Sequence, residues 1–213
     1  MSRLRFAISM TLDGYIAGPN QSLEHPVGSG AEPLHDWMFN LRTFREIHNM
    51  EGGETGINED VLRENFTNIG ATIMGRNMFG GGPGPWSSEP WDGWWGDNPP
   101  FHTPVFVLTH HAREPLEMKG GTTFHFVTDG IESALRQAKK AAGDQDVALG
   151  GGANVAQQYL AAGLIDEMEL HVVPVILGAG ERLLDNLGPD QKLEPVRTIE
   201  GPGVTHLKYR IVR

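Results

Sequence analysis

The segment Val147–Val155 constrains the fold most, because three consecutive glycines join an apolar strand to an amphipathic helix. Without Cβ atoms, Gly150, Gly151 and Gly152 let backbone N–H groups approach a ligand, and the following helix directs its positive end toward negative charge. The turn matches neither a Walker sequence nor a Rossmann fingerprint. The segment therefore predicts a strand, turn and helix suited to a phosphate, with a tight turn that binds no ligand as the alternative.

Apolar runs of strand length alternate with amphipathic helical patterns along most of the chain. A continuous apolar run such as Pro104–Thr109 is typical of a strand covered on both faces. The alternating segments 165–174 and 205–212 indicate two antiparallel strands near the end. The pattern predicts a single α/β domain over residues 1–213, in which helices flank a central, mostly parallel sheet with an antiparallel C-terminal edge.

Two regions between these elements are expected to contribute to ligand binding. Apolar residues at helical spacing predict a helix from Pro33 to about Glu46, in which Asp36 is a candidate proton donor or substrate anchor and Trp37 a candidate substrate contact. The alternatives are a solvated helix acid and a packed core ring. Residues 80–100 are rich in Gly, Pro and Trp and predict a long ordered loop.

Composition excludes several classes of protein. The chain has no cysteine, so disulfides, thiol nucleophiles and cysteine metal sites are excluded. Its 17 Lys and Arg against 27 Asp and Glu give a net charge of −10, which disfavours nucleic acid as a partner. The N-terminal apolar stretch is too short for a secretory segment or a membrane span, so a cytoplasmic protein without membrane contact is expected.

Basic and polar residues follow two of the predicted strands directly. Arg76 comes after the strand 71–74, and Thr109 and His110 end the strand that starts at Pro104. Because α/β folds bind ligands at the carboxyl ends of parallel strands, these side chains are candidates for holding an anion. A surface salt bridge is the alternative for Arg76. No metal site is expected, since His110 and His111 lack further ligands at workable spacing.

Five blocks in this order resemble the dihydrofolate reductase-like superfamily, and specifically its riboflavin-biosynthesis branch, the RibD C-terminal domain. The blocks are Ile8–Ala17, Ile73–Phe79, Pro104–His111, Val147–Gln158 and Pro174–Gly180. The resemblance implies a dihydrofolate reductase-like fold and an NADPH-dependent reductase that passes a hydride to a small heterocyclic or ribosylamino substrate. It also implies a homodimer. A catalytically inactive NADPH-binding sensor or scaffold is the alternative.

The resemblance also implies which residues contact the cofactor. Backbone groups of Ser9, Ile16 and Ala17 would flank the nicotinamide. The other expected contacts to the phosphates and the adenosine are Gly75, Arg76, Asn77, Thr109, His110, Gly152, Ala153 and Asn154, with Gly150 and Gly151 forming a turn around a cis peptide bond.

Two departures from the family pattern affect the expected specificity. Ala153 stands where folate-type members often carry an arginine, so one basic contact to the 2′-phosphate is missing and NADH is not excluded. Asp36 immediately precedes Trp37, whereas the acid that orients the pterin in folate reductases lies several residues earlier. The chain is therefore not expected to be a folate reductase.

Overall fold

The computed structural model describes residues 2–22, 24–82, 84–87, 91–188 and 191–212. The strands are β1 (Leu4–Thr11), β2 (Tyr15–Ala17), β3 (Ile69–Gly75), β4 (Pro104–Leu108), β5 (Leu116–Glu117), β6 (Thr123–Val127), β7 (Asp146–Gly151), β8 (Glu167–Val173), β9 (Glu181–Arg182), β10 (Lys192–Gly201) and β11 (Val204–Val212). The α-helices are α1 (Arg42–Ile47), α2 (Ile57–Phe66), α3 (Arg76–Phe79), α4 (Ile131–Ala142) and α5 (Ala153–Ala161).

The central sheet has the strand order β10-β11-β8-β1-β7-β3-β4-β6-β5. The pairs from β8 through β6 are all parallel, whereas β8 with β11, β11 with β10, and β6 with β5 are antiparallel. The expected α/β fold, with a mostly parallel sheet and an antiparallel C-terminal edge, is confirmed. The carboxyl ends of β1, β7, β3 and β4 consequently lie side by side, and this edge positions the site described below.

The parallel strands are buried because both faces of the sheet are covered. The main apolar cluster contains β1, β3 and β7 residues such as Phe6, Ile73 and Leu149, together with α4 and α5. Helix α4 spans Ile131–Ala142 as its apolar stripe predicts, and it buries Ala134 and Ala138 against the sheet. Among the helices of the described ranges, none has the length and apolarity needed to cross a bilayer.

The prediction of one helix from Pro33 to about Glu46 is wrong. The chain instead forms a 3₁₀ helix at Glu32–His35, a run of turns, and then α1. Leu41 is extended and pairs with Glu54. The Arg42 N–H donates to the Glu54 carbonyl at 3.0 Å, and the Glu54 N–H donates to the Asn40 carbonyl at 2.7 Å. This local strand-like pairing across the chain interrupts the helix that the apolar spacing predicts.

The long loop expected between residues 80 and 100 is present, and the described part of it contains no α-helix or strand. Its tryptophans pack rather than project: Trp86, Trp91 and Trp95 lie against the second apolar cluster, which includes Phe79 and Phe124. The indole N–H of Trp91 donates to the Phe79 carbonyl at 2.9 Å. The tryptophans therefore anchor this loop to the sheet.

Candidate active site

The three segments that the sequence nominates for phosphate binding meet at one edge of the sheet, which we call the glycine edge: Gly75–Asn77, Thr109–His110 and Gly150–Asn154. Strand β3 pairs with β4 on one side and with β7 on the other, so their carboxyl ends are adjacent. A Cβ on Gly75 would lie 2.8 Å from Cγ2 of Val155, so only glycine lets β3 and α5 approach this closely. The glycine edge is thus a continuous surface.

The glycine turn forms without the expected cis bond, since no described peptide bond is cis. Instead, the register between β3 and β7 shifts after Ile73↔Leu149 to Met74↔Gly151, which leaves Gly150 as an extra residue in β7. Gly151 and Gly152 have φ values of 129° and 90°. The bulge and the positive φ angles of these two glycines turn the chain from β7 into α5. The prediction of a cis bond between Gly150 and Gly151 is wrong.

The start of α5 faces open space. A Cβ on Gly152 would meet no atom within 4 Å, although Gly152 is the residue that precedes the helix. The first turn of α5 has no side-chain cap and no acidic residue. The free N–H groups and the positive end of the α5 dipole therefore face that space without a compensating negative charge. Such an arrangement suits a phosphate or pyrophosphate.

Arg76 is held rigidly at the same edge. Its guanidinium donates to the carbonyls of Gly80 (3.1 Å) and Gly81 (3.2 Å) and to the hydroxyl of Thr109 (3.3 Å). The ring centroid of Trp86 lies 3.1 Å from Cζ. In the described part of the chain Arg76 forms no ion pair with a carboxylate, so the salt-bridge alternative gains no support.

A second guanidinium that the sequence reading missed lies near Arg76. Cζ of Arg113 is 5.1 Å from the same Trp86 ring, and its Nη2 pairs with the half-exposed Asp92 at 3.1 Å. Burial and the charge of Arg113 both lower the pKa of Arg76. Arg113 is paired with Asp92, whereas Arg76 has no carboxylate partner among the described residues, so Arg76 favours an anion as its ligand.

The remaining predicted contacts differ in burial. Ile16 and Ala17 are buried in β2, and Ser9 is buried in β1. The residues Asn77, His110 and Asn154 are exposed at the glycine edge. Ala153 is buried at the first position of α5, and Asp36 is exposed beyond the 3₁₀ helix.

A cavity of about 340 Å³ adjoins the glycine edge. It is lined by residues of β1, β3, β7, β8, β11 and α2, and by His35, Trp37 and Met38. Gly150, Ser9 and Met78 all line it, and a Cβ on Gly150 would lie 3.3 Å from Sδ of Met78. The glycine turn is therefore also part of the cavity wall. Trp37 lines the cavity, whereas Asp36 is not among its lining residues.

Most of the cavity surface is apolar. The contributing side chains are Phe6, Ile8, Leu62, Phe66, Ile69, Met78 and Phe101. Trp37 adds an aromatic wall, and its indole N–H donates to the Ser9 hydroxyl at 3.0 Å. A planar ligand with apolar faces fits such a lining.

One wall of the cavity carries a hydrogen-bond relay between α2, β8 and β11. Nδ2 of Asn65 lies 3.2 Å from Nε2 of His171, the two histidine Nδ1 atoms are 2.8 Å apart, and Nε2 of His206 is 3.1 Å from Oδ1 of Asn58. Because the Asn65 amide nitrogen can only donate, His171 accepts there and donates from Nδ1 to His206, which donates to Asn58. Each imidazole is therefore neutral and holds a single proton.

The pKa values of both histidines agree with this assignment. Burial, with smaller effects from His206 and Arg197, lowers the pKa of His171 to about 3. Burial, followed by Arg197, lowers the pKa of His206 to about 4. The Trp37 ring packs on both imidazoles, at centroid distances of 4.8 and 5.1 Å. The relay thus forms a rigid, uncharged support for Trp37.

The charged groups around this wall are paired with one another. Lys208 Nζ lies 2.7 Å from Glu64 and 3.5 Å from Glu167, while Arg197 contacts Glu64 at 2.5 Å and Glu169 at 2.9 Å. Burial opposes ionisation of Glu64, but the hydrogen bonds from Lys208 and Arg197 outweigh it and lower its pKa. Lys208 and Arg197 are therefore both neutralised within the protein.

The residues of this wall carry no local motif, and the sequence reading did not single them out. A signal was nevertheless present: Glu167, Glu169 and His171 alternate along β8, so three polar side chains share one face of a strand near the middle of the sheet. Polar residues on such a face indicate a cavity wall rather than a packed core. Within the described residues, no group of three or more His, Asp or Glu could hold a metal ion.

A model of the RibD C-terminal domain matches residues 3–207. The chain belongs to this family. A relative in this comparison is the uncharacterized protein YyaP of Bacillus subtilis (strain 168), 34% identical over 85 residues, which are 39% of this chain and 45% of YyaP. The family expected from the five sequence blocks is thus confirmed.

Solved structures share the fold of this RibD C-terminal domain. A protein of Shewanella sp. PV-4 assigned to riboflavin biosynthesis matches with a TM-score of 0.60 at 21% identity over all of both chains. A Thermotoga maritima diaminohydroxyphosphoribosylaminopyrimidine deaminase/5-amino-6-(5-phosphoribosylamino)uracil reductase matches with 0.57 at 15% identity, over 99% of this chain and 57% of that one. Dihydrofolate reductase from Enterococcus faecalis, solved with NADP(H), matches with 0.52 at 14% identity over 98% and 96%. The dihydrofolate reductase-like fold is confirmed.

Proposed function

We propose that this protein is an NADPH-dependent reductase that transfers a hydride to a small heterocyclic or ribosylamino substrate. The reaction would be similar to that of the reductase named in the Thermotoga maritima protein. One observation carries the proposal: Gly150 belongs both to the turn that faces the expected phosphates and to the wall of the cavity. A dinucleotide that lies along the glycine edge would therefore reach the cavity.

The glycine edge fits the phosphates of such a cofactor. The open space at Gly152 leaves room for a pyrophosphate beside the first N–H groups of α5. Arg76, fixed by Thr109 and by two backbone carbonyls, would supply a positive charge in a fixed place. Rigid donors lose little conformational freedom when the ligand binds.

Arg113 supports NADPH over NADH. Ala153 offers no basic contact, so the 2′-phosphate needs a cation from another segment. Arg113 and Arg76 both flank Trp86, next to Thr109 and the exposed His110. We infer that this pair of guanidinium groups replaces the missing arginine.

Within the cavity the chain would act mainly by positioning. A bound nicotinamide would supply the hydride. Backbone groups of Ser9, Ile16 and Ala17 would orient it, and Trp37 holds the Ser9 hydroxyl in place. The apolar walls exclude water from the reacting carbon, and alignment of two reactants can lower a barrier by about 7–11 kcal/mol.

Binding of nicotinamide cofactors tests this proposal directly. NADPH at about 100 times its Kd should stabilise the protein by about 2.7 kcal/mol, and NADH by less. AMP, which lacks the nicotinamide and the pyrophosphate, is the matched control. Stabilisation by neither dinucleotide would overturn the cofactor assignment. Binding of NADPH without its oxidation in the presence of any pyrimidine or pterin acceptor would instead favour the inactive sensor or scaffold.

We also propose a homodimer, as the family resemblance suggests. The edge strand β10 exposes Leu193 and Val196, with 43% and 48% of their surface accessible. Light scattering at several protein concentrations measures the mass, and a monomer throughout would contradict the proposal.

A further inference from the structure

The cavity wall formed by β8, β11 and α2 carries many charges, yet none is available to a ligand. Lys208 lines the cavity and is neutralised by Glu64 and Glu167. Glu169 lines it too and is neutralised by Arg197. A ligand would therefore meet ion pairs rather than single charges.

The other basic residues of the lining are also held by contacts within the protein or are uncharged. The Arg5 guanidinium donates to the backbone carbonyls of Thr67 (3.0 Å) and Glu64 (2.8 Å), and it lies 3.8 Å from Asp146. His171 is held neutral by the relay, because a second proton would set two N–H donors against each other at Asn65. Burial also lowers the pKa of His35. Among the described lining residues, every basic group is thus paired, bonded to backbone or uncharged.

Two polar groups of the wall are left over by these internal contacts. Nδ2 of Asn65 uses one hydrogen for His171, and in the described structure its carbonyl oxygen accepts no hydrogen bond. Oε2 of Glu169, a residue only 2% exposed, is buried without a hydrogen-bond partner among the described residues. The Asn65 amide, which can still donate one hydrogen and accept at its carbonyl oxygen, matches the ring C=O and N–H groups of a nitrogen heterocycle.

We propose that the cavity selects an uncharged nitrogen heterocycle without a phosphate group. The proposal rests on the reductase function above and narrows its substrate class. A phosphate dianion would lose its hydration against this wall without gaining a counter-ion, since the cations there are already paired. A planar heterocycle loses little hydration, packs its faces on Trp37 and the apolar lining, and fills the unused polar groups.

A matched pair of ligands tests the proposal. The probes are 5-amino-6-ribosylaminouracil and its 5′-phosphate, which differ only in the phosphate. Calorimetry measures their binding to the full chain, first alone and then with saturating NADP⁺. We expect the unphosphorylated compound to bind at least tenfold more tightly. Equal or tighter binding of the phosphate ester, or binding of neither compound, would overturn the proposal.

This measurement is separable from the test of the proposed function. Cofactor binding is assayed without either heterocycle, and heterocycle binding is assayed without cofactor in its first arm. Binding of NADPH together with a preference for the phosphate ester would support the reductase proposal and contradict the substrate class. A preference for the unphosphorylated ligand without NADPH binding would support the substrate class and contradict the cofactor assignment.

The Glu64→Gln variant tests the physical cause. It removes the carboxylate that neutralises Lys208 and Arg197 while keeping the side-chain shape. Lys208 then keeps only Glu167 and Arg197 only Glu169, so both cations are less fully neutralised and the preference against the phosphate ester should fall at least threefold. Asp60→Asn is the control, because it removes the same charge from α2 at an exposed pair with Arg63. Unfolding curves establish that both variants are folded, and identical behaviour of the two would overturn the explanation.

Discussion

The glycine edge and the cavity lie side by side and share Gly150, yet they treat charge in opposite ways. At the glycine edge, Arg76 has no carboxylate partner among the described residues and lies near Arg113. In the cavity wall, Lys208 and Arg197 are surrounded by Glu64, Glu167 and Glu169. An unpaired cation is costly unless an anion arrives, whereas a paired one is already satisfied.

This difference indicates which end of the site receives which ligand. At the glycine edge a negatively charged ligand would compensate the charge of Arg76. In the cavity wall the basic side chains are already compensated by carboxylates of the protein. Counting basic residues alone would not distinguish the two regions, because both contain two or more. The distribution of their partners decides, and the following changes test that contrast.

Among the substitutions, the largest effect is expected from His206→Leu, which breaks the relay of the cavity wall. His206 is fully buried, and its loss leaves His171 Nδ1–H and Asn58 Oδ1 without partners. We expect the free energy of unfolding to fall by about 3 kcal/mol, measured by chemical denaturation. His125→Leu is the control, since His125 is half-buried and stacks on Phe106 outside the relay. Equal effects of the two would show that the relay adds nothing.

Arg76→Ala should remove the main charged contact of the glycine edge. NADPH binding should weaken by about 1.5–3 kcal/mol, because a charged hydrogen bond to phosphate is lost. Calorimetry measures the change, with Arg63→Ala as a surface control of equal charge. Unchanged affinity would assign Arg76 to structure alone, through its contacts to Gly80 and Gly81.

Acidification should destabilise the cavity wall through its two buried histidines. The folded pKa values of His171 and His206, about 3 and about 4, lie below the ordinary value of 6.5. The unfolded chain therefore binds protons as the pH falls below 6.5, and the folded chain does not. The contribution of the neutral histidines to the free energy of unfolding is therefore fully present above pH 6.5. Between pH 6.5 and 4 the free energy of unfolding should fall by about 1.4 kcal/mol per pH unit for each histidine.

Denaturation curves at pH 7, 6 and 5 measure this slope. The His206→Leu variant, with one titrating group fewer, should show a shallower dependence on pH than the parent protein. The same slope in both proteins would contradict a neutral relay.

The smallest effect is expected from Trp37→Phe. This change removes the hydrogen bond to Ser9 and keeps an aromatic ring, so stability should fall by about 1 kcal/mol. Affinity for the unphosphorylated heterocycle should fall as well. Trp91→Phe loses an equivalent bond to the Phe79 carbonyl at 2.9 Å, far from the cavity lining. It should cost similar stability without changing that affinity.

Local patterns predicted the regular elements well. The apolar pattern predicts a strand from Thr123 to Val127 and a helix from Ile131 to Ala142, and both elements have these bounds, because apolar period and turn residues agree in each. Strand β10 was missed, since its exposed edge position removes the apolar alternation and Pro195 interrupts it. The interruption at Leu41 was also missed, because it depends on pairing with Glu54.

The sequence by itself determined the family, most of the buried strands and the helix α4, and the segments that meet at the glycine edge. Those properties depend on residues that are close together in the chain, where glycine conformation, apolar period and strand ends act locally. Only the tertiary structure decided the cis-free bulge at Gly150, the second guanidinium of Arg113 and the pairing of Lys208 with Glu64. These depend on contacts between distant segments, and whether a charge is free or neutralised is set by what folding places beside it.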